Sequence, residues 1–241
     1  MSPDAMMTEP TSEKKNNLRS TRGEFALVAG RKFVQLDINW LAETITKYSQ
    51  IEVDIGTGDG RFVLDRTREE AKTLFVGIDP VAETMAESAR RASRSPKKGG
   101  RANAVFLRGS AELLPGPLAG VADLVTVNYP WGSLMRIVSE PDVEGLRRIR
   151  AVCKTDAILR IHLNQSVLAN LDYLERLGHA AISAPANNPN LPVFYAEAGF
   201  KVKNRYIFAG DPPFRTRWGR QLARGAARKT LFIEAIAGGM T

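Results

Sequence analysis

IEVDIGTGDG, residues Ile51 to Gly60, is a short apolar run that ends in three glycines within five residues. It reads as a strand, a tight turn and the start of a helix. Glycine at positions 56, 58 and 60 admits positive φ and removes the Cβ atoms that would hold a ligand off the backbone. The helix that follows offers unpaired amides. Asp54 and Asp59 argue against a phosphate there, since two carboxylates repel it, and they suit a ligand carrying positive charge. S-adenosylmethionine, with a sulfonium and an ammonium group, has that character. A glycine turn by itself also fits an ordinary turn or a different nucleotide site.

Downstream, Arg61 to about Lys72 reads as a helix and LFVGI, Leu74 to Ile78, as a buried strand ending at Asp79. In a nucleoside-binding α/β unit, an acid about 20 residues beyond the glycine turn accepts both ribose hydroxyls. Asp79 lies 19 residues after Gly60. Pro80 opens the next helix, where its missing amide costs nothing. A strand from Ala104 to Leu107 leads into GSAELL, where Ser110, Ala111 and Glu112 are candidates for gripping an adenine. The strand Ala122–Val127 runs into NYPWGS, a helix pair follows to Cys153, and the strand Ala157–Leu163 carries His162 at its end, read as a structural histidine.

Upstream, FALVA and KFVQL flank Gly30 and Arg31 as a β-hairpin, and Asp37 or Asn39 caps a helix that buries Trp40. Residues 1–23 are polar and aperiodic, the pattern of a disordered tail. Phe200–Phe208 and Thr230–Ala237 read as the last strands. Alternating strands and helices predict an α/β fold with a mostly parallel, doubly wound sheet and ligands beyond the carboxyl ends of its strands. Residues 24–241 form one domain on this reading, with 24–36 as hairpin and 164–198 and 209–229 as insertions.

The chain of 241 residues carries a net charge of +8, unevenly spread. Residues 201–230 hold nine lysines and arginines against Asp211 alone, and a second cluster of six runs from Arg90 to Arg101 with no acid inside it. Two basic clusters suggest a polyanion footprint. Solvated helix faces are the competing reading. No apolar stretch is long enough to span a bilayer, and the first residues lack a signal-peptide core. A single cysteine, Cys153, allows no internal disulfide and agrees with a cytoplasmic setting.

Asn128 to Ser133, NYPWGS, faces the expected position of the transferable methyl. Methyltransferases acting on exocyclic amines of bases often place a polar residue, two prolines and an aromatic there. Tyr129 breaks the double proline and the aromatic is Trp131, which argues against that amine mechanism. Trp218, flanked by arginines in TRWGRQLAR, is costly to explain as core. Two tryptophans near one pocket can hold an extruded base between their faces.

DIGTGDGR, GIDPV, PKKGG, SAELLP, PWGSL and RWGRQLA occur in that order, and with them the chain resembles the aminoglycoside-resistance 16S ribosomal RNA methyltransferases of the kanamycin-apramycin type, which modify adenine N1 in the decoding site. The resemblance covers residues 25–238. It implies a Rossmann-like class I methyltransferase with a seven-stranded sheet, an amino-terminal hairpin and helical insertions facing RNA. The cofactor set it implies is Asp54, Gly56, Gly58, Asp59, Gly60, Asp79, Pro80, Ser110, Ala111, Glu112, Asn128, Ser133 and Thr216. Trp131 and Trp218 would sandwich the flipped adenine, with no metal and no general base. Lys97, Lys98 and Arg228 would contact RNA. Gln221, Ala226 and Ala227 stand where relatives can be basic, so contacts shift to Arg220 and Arg224. The implied partner is 16S rRNA in the assembled 30S subunit, approached by a monomer with no membrane and no obligate protein partner. The alternatives are another RNA methyltransferase, such as one acting on tRNA guanine N7, a small-molecule methyltransferase, and a non-enzymatic RNA-binding protein that retains S-adenosylmethionine.

Overall fold

The computed structural model describes residues 24–30, 32–140, 142–168, 175, 188–210 and 229–239. A hairpin of β1 (Ala26–Ala29) and β2 (Lys32–Gln35) leads through Asp37 into α1 (Ile38–Ile45). The Asp37 carboxylate accepts the amides of Asn39 at 2.9 Å and Trp40 at 3.1 Å, so Asp37 rather than Asn39 is the cap. Then come β3 (Gln50–Ile55), α2 (Arg61–Arg66), β4 (Thr73–Asp79), α3 (Ala82–Ala92), β5 (Ala104–Arg108), β6 (Ala122–Asn128), α4 (Gly132–Ser139), α5 (Val143–Val152) and β7 (Cys153–Asn164). The short α6 (Gln165–Leu168), α7 (Leu191–Glu197), β8 (Phe200–Ala209) and β9 (Lys229–Ala237) complete the described elements.

The strands form one sheet in the order β2-β1-β5-β4-β3-β6-β7-β9-β8. The five strands β5, β4, β3, β6 and β7 pair in parallel, and β9 and β8 join antiparallel at one side. The sheet has nine strands rather than the expected seven, because β1 pairs with β5 and brings the hairpin into it. Phe25 fastens this junction: a Cβ on Gly109 or Gly116 would lie 2.4 or 2.5 Å from its ring.

Alternation along β3 sends Ile51, Val53 and Ile55 into the main core, shared with β4, β6, β7, β9, α4, α5 and α7. A second cluster seats Phe62 and Val63 of α2 and Met85 and Ala89 of α3 against Phe75 and Phe106. Helix α2 is shorter than its sequence suggests. Thr67, just past the last helical residue, turns its hydroxyl back to the Leu64 carbonyl at 2.7 Å, and the Arg66 guanidinium pairs with Glu52 at 3.0 Å and Glu69 at 2.7 Å. Cys153 is buried, and burial pushes its thiol up to about 12, in line with a core role. No helix among the described residues is long and apolar enough to cross a membrane.

Candidate functional site

A cavity of 260 Å³ opens at the carboxyl ends of β3, β4 and β6. The glycine turn supplies Asp54, Gly56, Gly58 and Asp59 to its wall, β4 supplies Asp79 followed by Pro80, the loop after β5 supplies Ser110, Ala111 and Glu112, and the loop after β6 supplies Asn128, Trp131 and Ser133. Of the described candidates, Gly60 alone stands back from this wall. It is the left-handed residue before α2, at φ 70°, with Phe106 and Ser88 against its Cα. Thr57, Phe62, Val81, Gly109, Tyr129, Pro130 and Leu134 also line the cavity, and the sequence reading had not singled them out for the cofactor. Thr57 was open to inference from its place between two chosen glycines.

Asp79 organises the turn. One of its carboxylate oxygens accepts the Gly58 amide at 2.9 Å and the other the Val81 amide at 2.9 Å, so the acid joins the glycine turn to the start of α3. Each oxygen keeps a lone pair for a ribose hydroxyl. Helix α3 adds two ties: the Thr84 hydroxyl donates to the Gly58 carbonyl at 2.7 Å and the Ser88 hydroxyl to the Asp59 carbonyl at 2.5 Å. Burial raises the Asp79 carboxyl above its ordinary range, against the two amides.

Asp54 is 2% exposed. The register of β3 with β6 sets it opposite Thr126, whose hydroxyl donates to its Oδ1 at 2.7 Å, and Asn128 Nδ2 donates to the same oxygen at 3.0 Å. Burial nevertheless pushes this carboxyl up to about 7, with Glu52 adding repulsion. Glu112 is shifted the other way. Although partial burial opposes it, the hydroxyls of Ser133 and Ser110 hold it below its ordinary range. The cavity wall thus holds four carboxylates, those of Asp54, Asp59, Asp79 and Glu112, and no lysine, arginine or histidine among the described residues. That charge set matches a cationic ligand and rejects a phosphate.

Hydrogen bonds among the described residues hold the end of β6 and the loop after it. Asn128 Oδ1 faces His162 Nδ1 at 3.0 Å and its Nδ2 faces Asp54, so both ends of the carboxamide are engaged. Tyr129 has φ 50°, donates its amide to the His162 carbonyl at 2.8 Å and meets the Thr230 hydroxyl of β9 through its own hydroxyl at 3.0 Å. Proline is fixed near φ −65° and has no amide, so this backbone is closed to a double proline. Trp131 follows in extended conformation, half-buried, with its side chain on the cavity wall.

Lys97 and Lys98 form an exposed 3₁₀ turn beyond the far end of α3, at the amino-terminal edge of the sheet and away from the cavity. Arg90 and Arg91, within the same basic cluster, each pair with Glu87 one turn earlier, at 2.8 and 2.9 Å. The hydrogen bonds from both arginines pull the Glu87 carboxyl down to about 2, and the cluster is less cationic than its sequence suggests. Trp218, Thr216, Arg220, Arg224 and Arg228, with Gln221, Ala226 and Ala227, lie outside the described residues, as do residues 1–23.

A larger hollow of 820 Å³ lies on the other side of Asn128, over the strands β6, β7, β9 and β8. Its charges are matched within its own wall, Arg66 with Glu52 and Arg160 with Glu234 at 2.9 Å, and it has no turn of free amides, so the smaller cleft is the cofactor candidate.

A family model described as NpmA, 16S rRNA (adenine(1408)-N(1))-methyltransferase, matches residues 26–237. The chain is 30% identical over 88% of its length, and 97% of the relative's, to a 16S rRNA (adenine(1408)-N(1))-methyltransferase of Streptoalloteichus hindustanus. Among solved structures, the aminoglycoside resistance methyltransferase NpmB1 is 36% identical and superposes with a TM-score of 0.75, covering 88% of this chain and 99% of that one. A tryptophan-to-alanine variant of the 16S rRNA (adenine(1408)-N(1))-methyltransferase from Catenulisporales acidiphilia, solved with the cosubstrate SAM, is 31% identical with a TM-score of 0.79, covering 89% of this chain and 97% of that one.

Proposed function

The chain belongs to the NpmA family of 16S rRNA (adenine(1408)-N(1))-methyltransferases, and we propose accordingly that it methylates N1 of adenine 1408 in 16S rRNA, within the assembled 30S subunit, and so confers aminoglycoside resistance. The observation that carries this reading is the cleft itself: a glycine turn with a ribose-accepting acid, and four carboxylates without a lining cation. When bound there, S-adenosylmethionine supplies an electrophilic methyl group on a positively charged sulfur. Asp54 and Asp59 face its methionine part, Asp79 its ribose, and Ser110, Ala111 and Glu112 its adenine.

Adenine N1 carries an in-plane lone pair, so the chain's task is alignment rather than proton removal. The Asn128 carboxamide fits that task. Its oxygen is turned to His162 and its nitrogen to Asp54, whereas an exocyclic-amine enzyme turns an acceptor towards its target. The Trp131 indole, opposed by Trp218, holds the extruded base and favours it as it becomes cationic. The methylated, charged Watson–Crick edge then repels the ammonium groups of aminoglycosides. Residues 24–241 act as one methyltransferase unit, a monomer, with 164–198 and 209–229 towards the RNA. Lys97, Lys98, Arg220, Arg224 and Arg228 contact its phosphates. Incubation with 30S subunits and labelled cofactor, followed by primer extension, gives a stop at adenine 1408. Modification of tRNA guanine, or of no RNA, sinks the assignment.

Two further results are expected. Cofactor affinity rises as pH increases through about 7 and levels off above, because a cation draws Asp54 into its ionised form and must displace a proton below that pH. Titration calorimetry across this range checks it, and a flat profile contradicts it. Affinity for 30S subunits, if five cations meet phosphates, falls several hundred-fold between about 50 and 200 mM salt, while cofactor affinity changes far less. Filter binding at the two salt levels tests this.

A further inference from the structure

We propose that His162 is a positioning residue of the cofactor cleft: by donating to the Asn128 oxygen it holds the carboxamide nitrogen on Asp54. The inference rests on the cleft being the S-adenosylmethionine site. A carboxamide has one donating and one accepting end, and those of Asn128 meet different partners. Nδ2 lies 3.0 Å from Asp54 Oδ1, and Oδ1 lies 3.0 Å from His162 Nδ1. An ionised carboxylate only accepts, so the nitrogen must face Asp54 and the oxygen must turn to the ring. The ring must then donate from Nδ1. Without that donor the carboxamide oxygen loses its partner on β7, and the hold that keeps the nitrogen on Asp54 is weakened.

Several features suit His162 to this task. Burial lowers its ring to about 4, so the ring is neutral at physiological pH and has a single N–H, the one that Asn128 accepts. Register places His162 directly opposite Asn128 on the adjacent strand. Its carbonyl accepts the Tyr129 amide at 2.8 Å, and its ring packs 5.1 Å from that of Phe232. The tie matters because no lysine or arginine lines this cavity among the described residues. Asp54 shares its strand with Glu52, the turn brings Asp59, β4 brings Asp79, and Glu112 stands on the wall of the same cavity; Arg160 and His162 lie on β7, and Arg160 is paired with Glu234. Burial and Glu52 resist ionisation of Asp54, and the Thr126 hydroxyl and the Asn128 amide donate to it and assist it.

The test is S-adenosylmethionine binding by calorimetry across the neutral pH range, on the full chain, with His162→Phe and His162→Asn. Phenylalanine keeps a ring of similar size without the N–H, and asparagine keeps a donor near the Nδ1 position. His162→Phe is expected to bind the cofactor about tenfold more weakly at neutral pH, with its pH profile displaced upward, and His162→Asn to restore both. Wild-type affinity and profile in His162→Phe overturn the proposal, as does a His162→Asn protein as weak as His162→Phe. If thermal melting shows that His162→Phe does not fold, His162→Gln decides, because its amide reaches the Nε2 position rather than the Nδ1 position: weakened binding with an upward-displaced profile supports the proposal, and wild-type binding overturns it. Failure of the wild-type protein to bind S-adenosylmethionine is a separate result, and it removes the cofactor assignment itself.

Discussion

Trp131→Ala is expected to slow methyl transfer to 30S subunits by about 100-fold or more while cofactor binding survives. Stacking of a base on an aromatic face is worth roughly 1–3 kcal/mol, and an N1 displaced by about 1 Å from the methyl axis costs on the order of a further 100-fold. Loss of helix α4 is not the cause of such an effect. Trp131 occupies the position before that helix in extended conformation, and its side chain makes no capping hydrogen bond. Trp131→Phe retains a smaller stacking face and falls between the two. Single-turnover methylation with saturating 30S, alongside calorimetry for the cofactor, separates these outcomes. A Trp131→Ala protein that methylates at the wild-type rate refutes the stacking model, and the same pair of measurements applied to Trp218→Ala tests the opposite face.

The second large effect divides two neighbouring glycines. Gly60 and Gly58 both have positive φ, 70° and 60°, so alanine costs backbone energy at either. They differ in what a side chain meets. At Gly60 a Cβ would lie 2.4 Å from the buried Phe106 ring and 3.1 Å from Ser88 Cβ, with nowhere for the ring to go. Backbone strain of about 1–2 kcal/mol and overpacking of about 1–3 kcal/mol then remove a large part of a typical domain's stability. At Gly58 nothing lies within 4 Å, and the residue lines the cavity. Gly58→Ala therefore folds with a modestly lower Tm and loses cofactor affinity by about tenfold or more, whereas Gly60→Ala melts far lower or fails to fold. Thermal melts and cofactor titrations on both variants check the division. Equal melting temperatures contradict it.

Gly60 also shows how far the sequence could be read. It was grouped with the cofactor glycines because the three stand at even spacing in one turn, and spacing is local information. That Gly60 instead serves the packing of α2 on α3 depends on Phe106, which approaches from another strand. Asp79, Asn128 and Glu112 were legible: Asp79 and Asn128 close β4 and β6, and Glu112 lies in the loop after β5, so a parallel sheet gathers all three on one cavity wall. The end of α2 at Arg66 was not legible, because Thr67 to Lys72 holds no proline or glycine to mark a stop. That the hairpin joins the sheet as its eighth and ninth strands depended on Phe25 and the pairing of β1 with β5, a contact between distant parts of the chain. The basic cluster near Arg90 was counted without Glu87, which lies just outside the counted window and inside the same helical turn.

Tyr129 was read only as a break in a proline pair, yet its backbone closes a mutational route. Proline there would install the residue of amine-methylating enzymes, but it would face a φ of 50° that no pyrrolidine ring reaches. It would also remove the amide that the His162 carbonyl accepts and leave the Thr230 hydroxyl without its present partner. Ring-nitrogen and amine chemistry on this scaffold are therefore separated by several concerted changes spread over three strands. A proline codon at position 129 alone is expected to unseat this loop rather than to convert the enzyme to amine chemistry.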